Sequence, residues 1–438
     1  MNNYSLRIFL VIFFILYAVC SNAEEIGPGD DFEAAAMVLS PGAELVLRGG
    51  IYTFNENVTV SVSGTSIQPI TIRSKDGEKA ILEQSSASHN VIEVNNASWL
   101  VLKGLVIRGG SQGLRLINSD YITIEDCEIY ETGDVALSAN SGGTYEGLVI
   151  RHNHIHHTNG TGEGMYLGCN YDGCRIANSV IEGNYIHHTN RSSVEQGDGI
   201  EIKEGSYGNI IRDNVVHDTN YPCILLYSTV GNGAPNIVEG NIVWNSSDNT
   251  IQVAADAIIS NNIILGNVSF QPHQSGNPSN IEFVHNTVIN SGRGVEVSNI
   301  TGSVLIANNA VYAPGGAILL NGGNLGLATL AGNVGTGGLS GASSGYTEGN
   351  GINNDMVSAD YSGAPPIDPY PTDYSALIGA GDPIYAIAVD FNGTPRIGST
   401  DAGAYHYQPG GNPGWTITGD FKGEPTLLMP PTNLRFTD

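Results

Sequence analysis

One lysine surrounded by acidic residues is the feature of this sequence best suited to chemistry. Lys203 is the only lysine between residues 104 and 421. Four acidic residues accompany it in the same repeat or the preceding one: Glu163, Asp198, Glu201 and Glu204. A lysine in such surroundings is often one partner of an exposed ion pair that contributes little. In its neutral form, however, a lysine is a base that can remove a proton from carbon.

The acidic residues supply what a catalytic lysine needs. A lysine acts as a base only when its pKa falls from ~10.4 toward neutrality, through burial or a neighbouring cation. Asp198, Glu163 and Glu201 are candidate ligands for Ca²⁺, which also withdraws electrons from a substrate carboxylate. Tyr227, one repeat later, is the candidate acid. These groups fit β-elimination from a uronic acid, in which the C5 proton is removed and the glycosidic oxygen is protonated as it leaves.

Alternating side chains place these groups on one face. Residues 136–140, 164–168, 199–203 and 223–227 each alternate aliphatic and other residues, as short strands do. With the aliphatic side chains inward, two outward columns result: Ser138, Tyr166, Glu201 and Leu225, and then Asn140, Gly168, Lys203 and Tyr227. Gly168 is expected to leave open space beside the lysine. Tyr166, Glu201 and Asn140 are predicted to contact the substrate, and so is Arg191, in a loop that runs to Gln196.

Strands of this kind recur along most of the chain. Each repeat carries an Asn at a matching place, and the spacing between successive Asn runs from 21 to 31 residues: Asn153, Asn184, Asn214, Asn241, Asn262 and Asn286. Repeats of this length that contain only strands and turns are typical of a parallel β-helix, in which each turn buries its aliphatic side chains against the next. The Asn residues are expected to adopt left-handed turn conformations and to hydrogen-bond their own copies.

The predicted fold is therefore an all-β, right-handed parallel β-helix over residues 24–335. A short amphipathic helix over residues 30–39 is expected to cap its N-terminal end. Residues 336–410 are assigned to an irregular C-terminal module, because 376–405 resembles the end segment of many exported bacterial β-helix proteins. Residues 411–438 are interpreted as a linker-like tail.

Residues 1–23 are predicted to form a secretory signal peptide. Arg7 precedes an apolar run from Ile8 to Val19, and Ser21 to Ala23 form a small-residue cleavage site. The run is too short to span a bilayer. We therefore expect a protein that is secreted, periplasmic or at the cell surface, where Cys169 and Cys174 could form a disulfide across a short loop.

Two other outward columns are expected. The first alternates in charge and is interpreted as a structural ladder: Glu125, Arg151, Glu182, Arg212 and Glu239. The second is Tyr130, His156, His187, His217 and Trp244. Histidines stacked at the ~4.8 Å spacing of successive turns form a row that does not suit one tetrahedral metal ion, so a stacked ladder is the favoured interpretation. His187 and His217 are also candidate substrate contacts.

The composition limits the partners. The formal charge is −26, with 17 Lys plus Arg against 43 Asp plus Glu. That balance argues against binding nucleic acid or an anionic membrane surface. It also opposes a polyanionic substrate unless a metal ion bridges the protein acids and an acidic sugar. No later segment is long and apolar enough to span a bilayer, and a monomer is expected.

The strand around Lys203 resembles the alginate lyase and chondroitinase B family. The matching residues are Asp198-Gly199-Ile200-Glu201-Ile202-Lys203, followed by Asn209, Arg212 and Asn214. The resemblance implies that Lys203 is the Brønsted base and Asp198 a Ca²⁺ ligand. It covers about two repeats specifically. The chain departs from the family at Tyr227, where the family has an arginine, and at Gln196, where it has a second acidic ligand.

Other families match less well. β-helix pectate lyases have a similar Asp-Gly-x-x-x-Lys strand, but their acidic calcium cluster would fall where this chain has Pro222, Cys223 and Leu225. A secreted, Ca²⁺-assisted lyase for an acidic polysaccharide is the leading hypothesis, with alginate first and pectate-like or glycosaminoglycan chains next. The alternatives are a glycoside hydrolase using two of Glu163, Asp198 and Glu201, and a non-catalytic glycan-binding envelope or adhesin module.

Overall fold

The computed structural model describes residues 23–423, of which those up to Glu348 wind into a parallel β-solenoid of about 13 turns. Three parallel sheets, A, B and C, run along it. Sheet A consists of Ala23–Ile26, Glu44–Leu47, Ile70–Ser74, Ser98–Lys103, Asp120–Glu125, Val149–Arg151, Val180–Glu182, Ile210–Arg212, Asn236–Glu239, Ala257–Ser260, Ile281–Val284, Val304–Ala307 and Ala328–Ala331. Sheet B consists of Gly50–Phe54, Ala80–Gln84, Val106–Gly109, Glu128–Tyr130, His154–His156, Tyr185–Thr189, Val215–Thr219, Ile242–Ser246, Ile263–Leu265, Thr287–Ile289, Ala310–Tyr312, Asn333–Thr336 and Tyr346–Glu348. Sheet C consists of Thr59–Val60, Ile92–Asn95, Leu114–Ile117, Leu137–Ala139, Met165–Leu167, Ile200–Ile202, Ile224–Leu226, Ile251–Val253, Val268–Phe270, Arg293–Ile300, Gly316–Gly323 and Leu339–Ser340.

A few short elements lie outside the three sheets. Thr144–Glu146 pairs in parallel with Arg175–Ala177, and Met356–Ser358 pairs antiparallel with Asp368–Pro371. The helical segments are Phe32–Met37, Ile352–Asp355, and the 3₁₀ turns Leu325–Leu327 and Pro383–Tyr385. Asp31 caps the first helix by accepting a hydrogen bond from the Ala34 N–H. Phe32 and Ala36 are buried in the core, so the predicted N-terminal capping helix is confirmed.

Stacked aliphatic side chains fill the interior. In sheet A one inward column places identical or similar residues in register on successive turns, all of them fully buried: Ile124, Ile150, Ile181, Ile211, Val238 and Ile259. Burial of apolar area at about 25 cal/mol per Å² makes this stacking the main stabilisation of each turn. The parallel β-helix predicted from the repeats is therefore confirmed.

Asn side chains connect eight successive turns. Asn153 donates from Nδ2 to Oδ1 of Asn184 at 3.0 Å, and the same bond repeats through Asn333. The expected hydrogen bond between copies is thus present. The expected left-handed conformation is wrong for these Asn residues, because the residue before each one has the positive φ, as at His152 and Asp213. The turn is made one position earlier, which leaves the Asn side chain pointing inward.

The C-terminal part of the chain covers the outward face of sheet B. Its apolar side chains pack against that face from Val215 to Val334. Arg396 donates from Nη2 to Asn261 at 3.0 Å, and the Ala404 N–H donates to the Thr287 hydroxyl at 3.0 Å. The solenoid strands continue to Glu348, past the predicted boundary at residue 335.

The described part of the predicted tail is docked on the same face. Lys422 binds Asp213 at 2.5 Å and the Gly240 carbonyl at 3.0 Å. Tyr185 donates to the Gly419 carbonyl at 2.8 Å. The predicted signal peptide lies outside the described residues except for Ala23. Within residues 23–423 we find no helix with the length and apolarity needed to cross a bilayer.

Candidate active site

Sheet C brings the predicted columns together. Ser138, Tyr166, Glu201 and Leu225 are direct partners on four successive strands. Lys203 directly follows its strand and donates its backbone N–H to Leu167 of the previous turn. Tyr227 takes the same place one turn later and donates its N–H to Ile202. The Lys203 amine and the Tyr227 phenol therefore lie on adjacent turns and point to the same place.

Lys203, Glu201 and Tyr227 form a closed triangle of hydrogen bonds. The Lys203 ammonium donates to Glu201 Oε1 and, at 3.2 Å, to the Tyr227 hydroxyl. The Tyr227 hydroxyl donates to the same Glu201 oxygen at 3.1 Å. All three side chains are at most 4% exposed, so bulk water does not screen the contacts. The lysine and tyrosine can therefore exchange a proton directly.

The expectation that Gly168 leaves open space beside Lys203 is wrong. A Cβ on Gly168 would lie 2.8 Å from Lys203 Cβ, and the backbone there has a φ of +99°. The lysine stem itself fills the space that a side chain would take. Lys203 can therefore take this position only because residue 168 is glycine.

Two aromatic rings cover the amine. The Lys203 Nζ lies 4.1 Å from the centroid of the half-buried Tyr166 ring and 4.8 Å from that of Tyr227. His273 packs on Tyr227 with ring centroids 4.6 Å apart. Tyr166 and His273 are both partly exposed, whereas Lys203 and Tyr227 are buried, so these two rings are the parts of the site that face solution.

His273 is a site residue that sequence reasoning missed. It lies in the loop between Val268–Phe270 and Ile281–Val284, which folds back across two turns so that Gly276 meets Ala254 and Ser228. The sequence carries little signal for it. Ten residues separate these two strands, but nine separate Ile224–Leu226 from Asn236–Glu239, so its length does not single out this loop. Loops that leave the coil carry function disproportionately.

Three carboxylates converge beside the triangle. One oxygen each of Glu163, Asp198 and Glu201 lie within 4.8 Å of one another, and all three side chains are buried. Both Asp198 oxygens, Glu163 Oε1 and Glu201 Oε2 have no hydrogen-bond partner within residues 23–423. The other Glu163 oxygen accepts from Thr161 at 2.6 Å. Buried anionic oxygens without donors fit a hard cation such as Ca²⁺, which takes oxygen ligands.

Burial and mutual repulsion disfavour the charged forms of these three acids. Burial is the largest cause that raises the pKa of Asp198 well above its usual value, and the neighbouring Glu201 and Glu163 charges add to it. Burial likewise raises the pKa of Glu163 and of Glu201, against the opposing pull of Lys203. Burial and then Glu201 raise the pKa of Tyr227, so its hydroxyl keeps its proton. A bound cation would offset the repulsion among the three acids.

Other predicted residues lie around or away from this group. Asn140 lies two turns before Lys203 in its column. Cys169 follows Gly168 and is bonded to Cys174, and its sulfur contacts the Asn140 carbonyl oxygen at 3.2 Å. Glu204 is buried beside the lysine. His187 and His217 lie on sheet B, and Arg191 approaches Glu131 at 3.9 Å. The structure does not bring these last three to Lys203.

Comparisons with known proteins bear on the family and the fold. Residues 20–234 match the family model described as Pel9A-like, right handed beta helix region. The chain is 22% identical over 322 residues to pectate lyase PEL9 of Emericella nidulans (strain FGSC A4), which covers 64% of this chain and 74% of that protein. The resemblance to β-helix polysaccharide lyases is thereby confirmed, and the solenoid is right-handed.

Solved structures show the same fold. The crystal structure of pectate lyase Pel9A superposes with a TM-score of 0.52 at 17% identity, covering 88% of this chain and 96% of that one. The catalytic unit of an α-1,3-glucanase from Streptomyces thermodiastaticus strain HF3-3 gives a TM-score of 0.52 at 18% identity, covering 72% of this chain and 66% of that one. A lyase and a hydrolase thus share the fold, and the function has to be argued from the site.

Proposed function

We propose that this protein is a secreted polysaccharide lyase that cleaves a uronic-acid-containing polysaccharide by β-elimination. Lys203 is the base and Tyr227 the acid. The contact of 3.2 Å between Lys203 Nζ and Tyr227 OH carries the proposal, because it places a base and an acid at one point. The pectate lyase homologue supports a uronan as the substrate class. Alginate and pectate are the first chains to test, and glycosaminoglycans the next.

The two side chains complete a proton cycle. Neutral Lys203 removes the C5 proton, while the Tyr227 hydroxyl protonates the glycosidic oxygen as the C4–O bond breaks. The ammonium then returns its proton to the phenolate across the same 3.2 Å contact. The products are an unsaturated uronate and a new chain end, and the enzyme regains its starting protonation. General acid–base catalysis of this kind contributes typically 10²- to 10⁴-fold to a rate.

Glu163, Asp198 and Glu201 would hold Ca²⁺. When bound there, the ion supplies positive charge that stabilises the substrate carboxylate and favours the neutral form of the neighbouring amine. Glu201 has two roles in the proposal. Its Oε1 orients Lys203 and Tyr227, while its Oε2 has no donor among residues 23–423 and is free to bind the ion. The strong negative charge of the chain opposes binding of a polyanion. A cation held by these three acids would reduce that repulsion at the site.

The same cluster argues against a hydrolase built on these acids. Catalytic carboxylates of glycosidases lie ~5 to 9.5 Å apart on either side of the scissile bond. Here one oxygen from each of three acids lies within 4.8 Å of the other two. Three carboxylates that converge on one point, with no donor between them among residues 23–423, have the arrangement of ligands around one ion. The geometry therefore favours a cation over a glycosidic bond.

A panel of uronans tests the proposal. Purified protein is incubated with alginate, pectate and glycosaminoglycans, with and without chelator, and the ultraviolet absorbance of unsaturated uronate is followed. We expect signal on at least one uronan, lost in Lys203→Met and retained in Lys79→Met, which removes an exposed lysine. New reducing ends without unsaturation would support a hydrolase, and binding without cleavage an adhesin. Full activity in Lys203→Met would overturn the assignment of the base.

A further inference from the structure

A cluster of imidazoles on sheet B is independent of the Lys203 site. The predicted stack exists: His156 lies between Tyr130 and His187, with ring centroids 5.0 and 5.2 Å away, and His217 lies on Trp244 at 4.1 Å. The stacked column is indeed unsuited to a single ion. A second column beside it changes the geometry, because His154 and Glu128 project from the same strands as His156 and Tyr130.

Three ligand atoms converge where these columns meet. Glu128 Oε1 lies 3.5 Å from His156 Nε2 and 3.9 Å from His154 Nδ1, and one ligand atom from each of the three residues lies within 4.8 Å of the others. These separations are at or beyond the limit of a hydrogen bond. They are close to the roughly 3.3 Å between neighbouring ligands of a tetrahedral ion whose bonds are ~2.0 Å long. A small inward shift of each side chain would close the site.

The second nitrogen of each ring is held by another histidine. His154 Nε2 lies 2.8 Å from His187 Nε2, and His156 Nδ1 lies 2.7 Å from His157 Nδ1. Each ring can carry its proton on the nitrogen in that hydrogen bond, which leaves a lone pair on the nitrogen that faces Glu128. Metal-binding histidines are oriented in this way by partners at their other nitrogen. This arrangement is a second feature, besides the convergence, that indicates a metal.

The site is open to ions from solution. The side chains of Glu128 and His154 are each 30% exposed, and that of His156 is 13% exposed. Imidazole nitrogen with one carboxylate is a donor set for Zn²⁺, Cu²⁺ or Ni²⁺, whereas Ca²⁺ prefers oxygen alone. We propose that Glu128, His154 and His156 form a binding site for a divalent transition metal, with water as the remaining ligand, on the sheet that does not carry Lys203.

Zinc titration of the tag-free full-length protein tests this site. Isothermal titration calorimetry is run in excess Ca²⁺, so that the carboxylates on sheet C are occupied by the harder ion. We expect one Zn²⁺ per chain at this site and a rise in Tm on binding, because the ion links two successive turns. Glu128→Gln and His154→Gln should each weaken Zn²⁺ affinity at least tenfold. Glu128→Gln removes a ligand and keeps every ring of the stack, so it also serves as the variant that disturbs the fold least.

His89→Gln is the matched control, since it removes an imidazole that faces one glutamate, Glu56, outside the cluster. Its Zn²⁺ affinity should equal that of the unmodified chain. Uronan cleavage should persist in Glu128→Gln, because no residue of the Lys203 site is changed. Absence of Zn²⁺ binding to the unmodified protein overturns the proposal. Unchanged affinity in either Glu128→Gln or His154→Gln does so too, since the ion would then lie elsewhere.

Discussion

The Lys203 side chain occupies the space in which a side chain at Gly168 would have to lie. A Cβ at 168 would stand 2.8 Å from Lys203 Cβ and 3.1 Å from the Ser206 hydroxyl. The two residues are neighbours in one column of sheet C, so the smaller residue sets the position of the base. This dependence leads to the first prediction.

Gly168→Ala should reduce kcat at least tenfold while the protein remains folded. The methyl group displaces Lys203 from Tyr227, and misplacement of a catalytic group by an ångström costs about 10²-fold. Alanine at a φ of +99° also costs more than ~1 kcal/mol of stability. Gly143→Ala is the control, because Gly143 has positive φ but no atom of the described chain lies within 4 Å of its Cβ position. Equal kcat in both variants would contradict the packing argument.

Tyr227→Phe should lower kcat by 10²-fold or more and leave binding of the polysaccharide nearly unchanged. The substitution removes the proton donor and keeps the ring that covers Lys203. Steady-state rates and uronan affinity are measured in parallel. Tyr221→Phe, at an exposed position before the strand that leads to Tyr227, is the matched control. A Tyr227→Phe enzyme with normal kcat would remove Tyr227 from the proton cycle.

Stabilisation by Ca²⁺ should increase with pH. The folded-state pKa values of Asp198, Glu163 and Glu201 are raised by burial, so without a cation the folded state holds protons that the unfolded chain releases above pH ~4. Stability from this cluster is therefore fully present below that pH and lost as pH rises through the folded pKa values.

Thermal unfolding with and without Ca²⁺ at pH 5 and pH 8 measures this effect. The rise in Tm should be larger at pH 8 and should shrink in Glu163→Gln and Asp198→Asn. Glu282→Gln, an exposed acid on sheet A, should behave like the unmodified chain. A Tm shift that is the same in Asp198→Asn as in the unmodified chain would place the cation elsewhere.

His273→Ala should change KM more than kcat. The ring covers Tyr227 from a partly exposed loop, so its loss uncovers one face of Tyr227 and leaves the Lys203–Tyr227 contact in place. We expect KM to change severalfold, with kcat altered by less than threefold. His273→Gln, which keeps a polar group, should show the smaller KM change. A kcat loss comparable to that of Tyr227→Phe would instead make His273 part of the proton transfer.

Acid should weaken the packing of the C-terminal part on sheet B through His285. The imidazole is fully buried and accepts a hydrogen bond from Asn308 at 3.1 Å. Burial, with a contribution from Arg396, lowers its pKa to about 3. Because the unfolded value is about 6.5, stability is present above that pH and is lost as pH falls, by about 2 kcal/mol at pH 5.

Urea unfolding at pH 7.5 and pH 5 checks this effect. The fall in stability between the two pH values should be about 2 kcal/mol smaller in His285→Gln than in the unmodified chain, since the other histidines contribute equally to both. His89→Gln, near the surface, should retain the full fall. Equal pH dependence in His285→Gln and the unmodified chain would show that His285 does not titrate in this range.

The strictly periodic parts of the structure were predictable and the insertions were not. The columns of Lys203 and Tyr227 follow from alternation of side chains, because a strand has only two faces. The Asn ladder follows from repetition, although its left-handed residue lies one position earlier than expected. His273 could not be placed, because its loop obeys no period. The expectation of open space at Gly168 was wrong because a column predicted from the sequence identifies the neighbours of a residue but not the volume that their side chains fill.

The approach of side chains from different columns to one another could not be predicted from the sequence either. His154 and His156 are two residues apart on one strand, and sequence alignment puts them in separate columns. Their approach to one oxygen of Glu128 depends on side-chain rotamers, which repeats do not encode. The packing of residues after 350 on sheet B could not be predicted either, because that segment contains no repeat that relates it to the turns of the solenoid.

The acidic first strand has a consequence for self-association. A solenoid of parallel strands exposes unpaired N–H and C=O groups at its terminal turn, where a second molecule could add in register and extend into a fibre. Among the described residues the outermost strand of sheet A is Ala23–Ile26, whose Glu24 and Glu25 side chains are exposed. Two molecules that meet head to head at this strand would bring four carboxylates together. The first turn therefore opposes pairing with a second first turn by repulsion, and high salt or low pH should weaken that opposition.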